Sequence, residues 1–226
     1  MLKTVRSLAT PPRAPSRRAF LAGSAAGAIL FGFRLDLKNP AHAAGGPDLS
    51  KVPAQPNAFV RIASDDTLTA MNKHLDMGQG NATGLATILA DELDADWAQV
   101  RTAFAPADAA LYNNLLMGPV QGTGGSTAIA NSWFQLRKAG AAGREMLVTA
   151  AASQWKVPAG EITVSKGVVR HAASNREARF GQLAEAAPSL PVPQEPRLKD
   201  PSAWTLIGKQ AHRIYSVSTP GCSGID

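Results

Sequence analysis

The sequence predicts an α+β fold, a mixed α/β layer, over residues 58–187. Two segments, Ala58–Ala63 and Thr67–His74, alternate apolar and polar residues as half-buried strands do, and the turn Ser64-Asp65-Asp66 joins them into a hairpin. Apolar residues then recur at helical spacing over residues 82–93. Hydrophobic residues make up 45% of the 226-residue chain, which is enough for the core of one ordinary domain with tails.

The elements after residue 93 complete a predicted order of β-β-α-β-α-β-β-α, with helices on one face of a sheet. Small residues at 139–143 in the longest predicted helix would let another element approach closely. The remaining predicted elements are a strand over Gln99–Phe104, a helix from the N-cap Ser126 to about Trp155, a hairpin of Glu161–Val164 and Val168–His171, and a short helix over Arg179–Ala187.

The charge distribution argues against a nucleic-acid-binding protein. Of the 23 basic and 17 acidic residues, seven basic and one acidic lie within residues 1–43, which leaves sixteen of each in the rest of the chain. A nucleic-acid footprint requires a basic patch on the folded part, and the sequence contains none there.

The first 43 residues are predicted to be a twin-arginine signal peptide. Residues 1–18 are basic with no acid, residues 19–33 form an apolar run, and Ala41-His42-Ala43 supplies a cleavage pattern. The junction SRRAFL at 16–21 resembles the twin-arginine motif more than an ordinary secretory signal. We therefore expect periplasmic export with cleavage near Ala43. Because this pathway carries folded proteins, the signal also hints at a cofactor inserted before export.

Two segments flank the predicted domain. Residues 44–57 are rich in Pro, Gly and Ala, a composition typical of a flexible spacer. Four prolines end the last predicted helix, so residues 188–226 are interpreted as a Pro-rich linker followed by the truncated start of a next domain.

Cysteine and histidine usage argues against a metal or iron–sulfur site on this chain. Cys222 is the one cysteine, so the sequence offers no internal disulfide and too few thiolates for an iron–sulfur cluster. The four histidines lack metal-ligand spacing. His74 lies beside a glycine-rich segment. The simplest interpretation is a strand-end residue near solvent, and the alternative is a residue that supports a ligand-binding loop.

The candidate chemistry lies in two glycine-rich loops, named here loop 1 (Lys73–Gly80) and loop 2 (Gly118–Thr127). Each follows extended chain and precedes a helix, an arrangement that directs backbone N–H groups and a helix N-terminus onto an anion. Gln79 is interpreted as buried. The plainer alternative is two turns without a ligand. The candidate binding residues are Gly78, Gln79, Gly80, Gly122, Thr123, Gly124, Gly125, Ser126 and Thr127.

Two nucleotide-binding motifs fit these loops less well. The pattern Gly78-x-Gly80-x-x-x-Gly84 lies between a strand and a helix, but dinucleotide-binding folds use G-x-G-x-x-G after a strand that is not part of a hairpin. A triphosphate-binding loop needs a lysine before its Ser or Thr, whereas Ser126 directly follows Gly125. A nicotinamide-binding fold is therefore disfavoured, and a triphosphate loop is excluded.

The segments KHLDMGQG (73–80), ADELDADWAQVR (90–101) and PADAALYNNLLMGPVQGTGGSTAIANSW (106–133), together with the leader, resemble the isoquinoline 1-oxidoreductase type of molybdopterin-binding large subunit, within the xanthine dehydrogenase and aldehyde oxidase superfamily. The resemblance implies a molybdopterin cytosine dinucleotide cofactor. It also implies hydroxylation of an aldehyde or N-heteroaromatic carbon with oxygen from water. Electrons would leave through a separate small subunit with two [2Fe–2S] clusters, with a cytochrome c as a further acceptor.

The resemblance also implies residue roles. Gln79 would hydrogen-bond a molybdenum oxo ligand or the pterin, and residues 122–127 would hold the pyrophosphate or pterin. No protein metal ligand is expected, because the cofactor's dithiolene holds the metal. Two departures matter: no glutamate stands in the family's catalytic G-x-G-E setting, and the R-x-D-T-x-x-K-x-x-G motif is incomplete after Arg213. We expect an incomplete, inactive part of a molybdenum hydroxylase. The alternatives are an exported cofactor- or anion-binding module without catalysis, and a non-binding structural protein.

Overall fold

The computed structural model describes residues 48–209 and 212–214, which belong to one compact unit. The predicted signal peptide with its cleavage point, residues 44–47 of the predicted spacer, and Cys222 lie outside the described residues. Within the described ranges, no helix is both long enough and apolar enough to cross a membrane.

The described residues contain both helices and strands in the mixture that the sequence predicts, so the α+β class is confirmed. Short 3-10 turns join several of the elements. The strands are β1 (Val60–Ile62), β2 (Leu68–Asn72), β3 (Val100–Phe104), β4 (Ile162–Ser165), β5 (Val168–His171) and β6 (Arg176–Arg179), and the helices are α1 (Pro56–Phe59), α2 (Asn81–Leu93), α3 (Ala109–Tyr112), α4 (Ala128–Trp155) and α5 (Phe180–Leu183).

The first sheet has the order β1-β2-β3. β1 and β2 form the predicted antiparallel hairpin, whereas β2 and β3 run parallel, with Leu68 opposite Val100. Helix α2 connects β2 to β3 and packs on both strands, which makes this part of the chain a βαβ unit. Loop 1 therefore leaves the carboxyl end of β2, the edge at which α/β sheets bind ligands.

A second, antiparallel sheet of β4, β5 and β6 stands where the sequence suggested a single sheet. The sequence pattern does not indicate β6, which forms after a left-handed turn at Asn175 and places Arg179 opposite Val168. Because this pairing takes Arg179 into a strand, the helix predicted over Arg179–Ala187 is wrong in extent. Helix α5 is one turn long.

The two long helices, α2 and α4, cross at the small residues that the sequence singled out. A methyl group added at Gly140 would lie 2.6 Å from the carbonyl oxygen of Leu89 and 2.9 Å from Cβ of Glu92. These distances are too short for any Cβ, so glycine permits the helix backbones to approach this closely. The predicted close approach at 139–143 is confirmed. The fully buried side chains of the core include Phe59, Leu68, Leu89, Leu93 and Leu147.

Two buried carboxylates on α2 hold the segment that follows the second sheet, a set of contacts named here the linker clasp (Asp91, Glu92, Arg137, Lys199 and Thr205–Ile207). Asp91 accepts hydrogen bonds from the backbone N–H groups of Thr205–Ile207 and from Lys199 Nζ. Burial raises the pKa of Asp91, but these donors outweigh it, so the pKa lies below its usual value. Glu92 accepts from Arg137 Nε and from the backbone of Lys199.

Candidate cofactor-binding site

Loop 1 is closed by the carboxylate of Asp76. One of its oxygens accepts from the N–H groups of Gly78 (2.9 Å) and Gly80 (3.2 Å), and the other accepts from Ala82 N–H (2.8 Å) in the first turn of α2. Gly78 and Gly80 adopt φ values of 102° and 83°, which side-chain-bearing residues rarely adopt. Gly80 is also the N-cap residue of α2, which begins at Asn81. The glycines and Asp76 therefore fix the loop's shape together.

We expect Asp76→Asn to lower the free energy of unfolding by about 1–2 kcal/mol, because an amide NH₂ would replace one acceptor facing backbone N–H groups. Burial raises the pKa of Asp76, but the three N–H groups and Arg213 outweigh it, so the folded pKa lies below the unfolded value near 4. The stabilisation is thus complete above about pH 4 and is lost as the pH falls through the folded pKa.

Urea unfolding of the parent chain and of Asp76→Asn, at about pH 7 and about pH 3, measures both effects. The two proteins should differ at the higher pH, and the difference should be smaller at the lower one. An equal difference at both pH values would contradict the role given to the Asp76 charge.

Gln79 is exposed, and the expectation that it is buried is wrong. Its Oε1 accepts from Met77 N–H (2.6 Å) and its Nε2 donates to the Leu75 carbonyl (2.7 Å). Both ends of the amide therefore brace loop 1 itself, because the loop curls around this side chain. A contact between Gln79 and a cofactor would replace one of these two hydrogen bonds.

Loop 2 is organised around the buried side chain of Asn114. Its Nδ2 donates to the Gly122 carbonyl (3.1 Å) and to Thr127 Oγ1 (2.8 Å), and its backbone N–H donates to the Val120 carbonyl. The helix that follows begins after Thr127, so the prediction of Ser126 as N-cap is wrong by one residue. The reason is that Ser126 adopts a positive φ of 55°, directly after Gly125 at 59°, and the chain turns there before it enters α4.

Gly122 and Gly124 have an explanation in local packing. A methyl group on Gly122 would lie 3.2 Å from Sδ of Met117, and one on Gly124 would lie 3.3 Å from its Cε. The Met117 side chain thus lies across both glycines. It is 43% exposed and flexible, so a ligand that approaches this backbone can displace it.

The two loops meet at Thr123, His74 and Asn131. Thr123 Oγ1 accepts from Leu75 N–H of loop 1 (2.8 Å) and lies 3.4 Å from His74 Nδ1. On the other side of the imidazole, His74 Nε2 lies 2.9 Å from Nδ2 of Asn131 in the first turn of α4. The structure therefore brings Thr123 of the predicted site onto loop 1.

The sequence interpretation of His74 as a residue near solvent is wrong, because His74 is only 1% exposed. The sequence carries only a partial signal for this: Leu68, Ala70 and Asn72 are buried at every second position of β2 and His74 continues that series, but Met71 and Lys73 between them are buried as well. Asn114 and Asn131 have no comparable signal, because their burial arises from loop 2 folding back on α4.

Two cations that the sequence did not assign to the site are Lys73, the first residue of loop 1, and Arg213, which contacts that loop. The buried Lys73 donates from Nζ to the Asn113 carbonyl (2.9 Å) and to Gln135 Oε1 (2.6 Å), and burial lowers its pKa to about 8. The exposed Arg213 donates to the Gly78 carbonyl (2.9 Å). Both place positive charge near the loops.

The part of loop 2 just before the N-cap of α4 contains four backbone N–H groups without a partner in the described part of the chain. Within the described residues, the N–H groups of Thr123, Gly124, Gly125 and Ser126 have no hydrogen-bond acceptor. Because α4 is 28 residues long, its dipole adds a partial positive charge at the same point. This donor set suits an anion such as a pyrophosphate. In the part of the chain that the structure covers, no group of three His, Cys, Asp or Glu side chains could hold a metal ion.

Apolar side chains surround these loops. Of the large hydrophobic side chains that the described residues expose, all but Phe104 lie on loop 1, on loop 2 and the residues before it, or at the start of α4. Large exposed apolar side chains on neighbouring segments favour a site covered by a ligand or by other protein. The members of this apolar rim are Leu75, Met77, Leu116, Met117, Val120 and Ile129.

Fold and site together define an α+β domain with two glycine-rich loops, the first of which leaves the carboxyl end of β2 in a βαβ unit. The chain belongs to the molybdopterin cofactor-binding domain family, whose model matches residues 31–222. The resemblance noted in the sequence to the molybdopterin-binding subunits of this superfamily is thereby confirmed, as is a molybdopterin cofactor of some form.

Three curated relatives are oxidoreductases by name. The chain is 36% identical over 185 residues to the beta subunit of isoquinoline 1-oxidoreductase of Brevundimonas diminuta, covering 79% of this chain and 22% of that protein. It is 31% identical to a membrane-bound aldehyde dehydrogenase [pyrroloquinoline-quinone] of Gluconacetobacter polyoxogenes (85% and 25%), and 30% identical to a nicotinate dehydrogenase subunit of Pseudomonas putida (69% and 13%). The chain therefore spans a quarter or less of the length of these relatives.

Two solved structures resemble the chain more distantly. Quinoline 2-oxidoreductase from Pseudomonas putida 86 is 21% identical with a TM-score of 0.42, over 56% of this chain and 15% of that one. CO dehydrogenase from Oligotropha carboxidovorans is 22% identical with a TM-score of 0.43, over 65% and 18%. The assignment rests on the family match and the relatives, because a likeness at this level carries no weight.

Proposed function

We propose that this chain is the part of a molybdenum hydroxylase that holds a molybdopterin cytosine dinucleotide between loop 1 and loop 2. The observation that carries the proposal is the row of free N–H groups from Thr123 to Ser126 just before the N-cap of α4. A pyrophosphate diester bears two negative charges and several acceptor oxygens, which match these donors and the helix dipole. The family match supplies the pterin part of the proposal.

The chain's own residues would bind and orient the cofactor. Residues 123–126 would donate to the pyrophosphate, while the backbone at Gly78 and Gly80 would approach the pterin and Gln79 would turn from its own loop towards it. When bound, the cofactor would supply oxidation of a substrate carbon with oxygen from water. The G-x-G-E glutamate of the resemblance is absent from these 226 residues, so the role proposed here is binding.

The proposal also includes the electron acceptors, the substrate and the cellular location of this domain. A small subunit with [2Fe–2S] clusters would accept the electrons, in keeping with the single cysteine of this chain, and a cytochrome c would be the next acceptor. The substrate would be an aldehyde or an N-heteroaromatic compound. The twin-arginine pattern at residues 16–21 supports export of the folded protein to the periplasm.

One relative supplies a second candidate. The name of the Gluconacetobacter protein includes pyrroloquinoline quinone, a tricarboxylate to which the same N–H groups would donate hydrogen bonds. The alternative function is a module that binds one of these two anions without catalysing a reaction. The two candidates differ in chemistry, because one ligand carries molybdenum and a cytosine nucleotide and the other carries neither.

Titration of the ¹⁵N-labelled full chain with purified molybdopterin cytosine dinucleotide, under anaerobic conditions, tests the proposal. Binding should shift the amide signals of residues 123–126 and of Gly78 and Gly80. Gly124→Ala, which adds a methyl group beside these donors, should weaken binding about tenfold, a loss of about 1.4 kcal/mol. Gly160→Ala is the matched control, because nothing lies within 4 Å of a methyl group there.

The outcomes separate the hypotheses. Weak binding of the cofactor at the two loops supports an incomplete part of a hydroxylase. Cofactor that stays bound to the chain through gel filtration supports a binding module that needs no further domain. Shifts with pyrroloquinoline quinone alone favour the second ligand. If neither compound shifts the loop amides at millimolar concentration, the proposal is wrong and a structural role remains.

A further inference from the structure

We infer that His74 is a positioning residue whose neutral imidazole fastens loop 1 to loop 2 and to α4, and that protonation of this imidazole opens the loops. The inference concerns the loops themselves, and it rests on the proposed function only where ligand binding is used as the readout.

The contacts of His74 reach all three elements. Its Nε2 lies 2.9 Å from Nδ2 of Asn131 on α4, and its Nδ1 lies 3.4 Å from Thr123 Oγ1 of loop 2. The same Thr123 oxygen accepts from Leu75 N–H (2.8 Å), the residue after His74 on loop 1. His74 is 1% exposed, so water does not replace these partners.

The orientation of Asn131 determines which nitrogen of His74 carries the proton. Asn131 Nδ2 also lies 2.8 Å from the Thr127 carbonyl oxygen and 3.1 Å from the Ala128 carbonyl oxygen, and its two hydrogens are divided among these and His74 Nε2, so the amide nitrogen, and not its oxygen, faces this side. His74 Nε2 must therefore accept the hydrogen bond, and the imidazole proton lies on Nδ1, directed at loop 2. A second proton on Nε2 would meet the N–H of Asn131.

The charges around His74 oppose the protonated form as well. Burial, and then the positive charge of Lys73, lower the pKa of His74, and the hydrogen bond with the Gly122 backbone offsets only part of this. Among the surrounding elements, residues 81–90 of α2, loop 2 and residues 128–136 of α4 contain no charged side chain. On loop 1, Asp76 already accepts three backbone N–H groups.

The lowered pKa of His74 determines the direction of the pH effect. The folded pKa of His74 lies below the unfolded value of about 6.5, so the folded protein binds fewer protons than the unfolded chain in that range. The stabilisation from the neutral imidazole is complete above about pH 6.5. It declines as the pH falls from there through the folded pKa, and protonated His74 then loses Asn131 and repels Lys73.

NMR of the full 226-residue chain tests the inference without any ligand. The side-chain nitrogens of His74 should report the Nδ1–H tautomer and a pKa below about 6.5. The hydrogen exchange of Leu75 N–H, measured relative to its intrinsic rate, should accelerate by up to about tenfold between about pH 7.5 and about pH 5.5. His74→Gln should abolish that pH dependence. His171→Gln, at a buried histidine in β5, is the matched control and should preserve it.

A second readout separates this inference from the proposed function. Between about pH 7.5 and about pH 5.5 the affinity for molybdopterin cytosine dinucleotide should fall by up to about tenfold in the parent chain and by less than about twofold in His74→Gln. If the loops open with pH but no cofactor binds at either pH, the proposed function fails and the inference stands.

Three results would overturn the inference. An Nε2–H tautomer, a His74 pKa at or above about 6.5, or Leu75 exchange that does not depend on pH in the parent chain would each do so, even if the cofactor binds. These three measurements use the parent protein, so they remain decisive if His74→Gln does not fold. Asn131→Ala then provides the second variant, and it should raise Leu75 exchange at about pH 7.5.

Discussion

Replacing Glu92 with alanine is expected to lower the free energy of unfolding by about 3–5 kcal/mol. The Glu92 side chain is fully buried, and its Oε1 lies 2.5 Å from Arg137 Nε; Cζ of Arg137 lies 5.4 Å from the ring centroids of both Trp133 and Trp204. Removing the carboxylate leaves the Arg137 charge in a buried position without its acid. It also leaves the backbone N–H of Lys199 without its acceptor.

Urea unfolding of the full chain at neutral pH measures this loss. The matched control is Glu177→Ala, which removes the acid of an ion pair with Arg170 in which both side chains are 61% exposed, and which should cost less than about 1 kcal/mol. If the two substitutions lower the free energy of unfolding equally, the linker clasp contributes no more to stability than a surface ion pair. The segment from Lys199 to Ile207 is then held by other contacts.

The linker clasp also marks the limit of what the sequence reveals. Asp91 and Glu92 stand at the end of an amphipathic helix, where acids are usually solvated. Their burial depends on partners more than a hundred residues away in the chain, Lys199 and Thr205 among them. No local pattern carries that information, because the partners become neighbours only after α2, α4 and the second sheet have packed.

The elements that the sequence predicts well are those with a strong local period. The first hairpin, α2 and α4 follow from alternation and helical spacing, and the close approach of α2 and α4 follows from a cluster of small residues. The strand β6 has no such signal, because its sequence REAR is charged and its pairing depends on a left-handed turn at Asn175.

The candidate site likewise contains residues that stand out in the sequence and residues that do not. The glycines of both loops stand out in the sequence, and the left-handed backbone at Gly78, Gly80 and Gly125 explains three of them. The residues that join the loops do not stand out, since a histidine and an asparagine that are 57 positions apart meet only in the fold. The choice of binding residues from the sequence remains a prediction, which the cofactor titration addresses.

Gly140→Val is expected to lower the free energy of unfolding by about 3 kcal/mol, because added side-chain atoms would collide with a backbone carbonyl that cannot move independently. The collision is with Leu89 of α2, 2.6 Å from the new Cβ, and it outweighs the gain in helix propensity of up to about 1 kcal/mol for replacing glycine. Gly143→Ala is the control. Its methyl group would lie 3.0 Å from Cδ1 of Leu93, a side-chain end that can shift, so the net effect should be near zero.

The same substitution tests whether the crossing of α2 and α4 sets the geometry of the site. Loop 1 leads into α2 and loop 2 leads into α4, so separating the helices should also separate the loops. In Gly140→Val, hydrogen exchange of Leu75 N–H, which donates to Thr123, should therefore accelerate more than the loss of global stability alone accounts for. If exchange rises only in proportion to that loss, the loops are held by their own contacts, with His74 and Asn131 foremost, and the helix crossing stabilises the core alone.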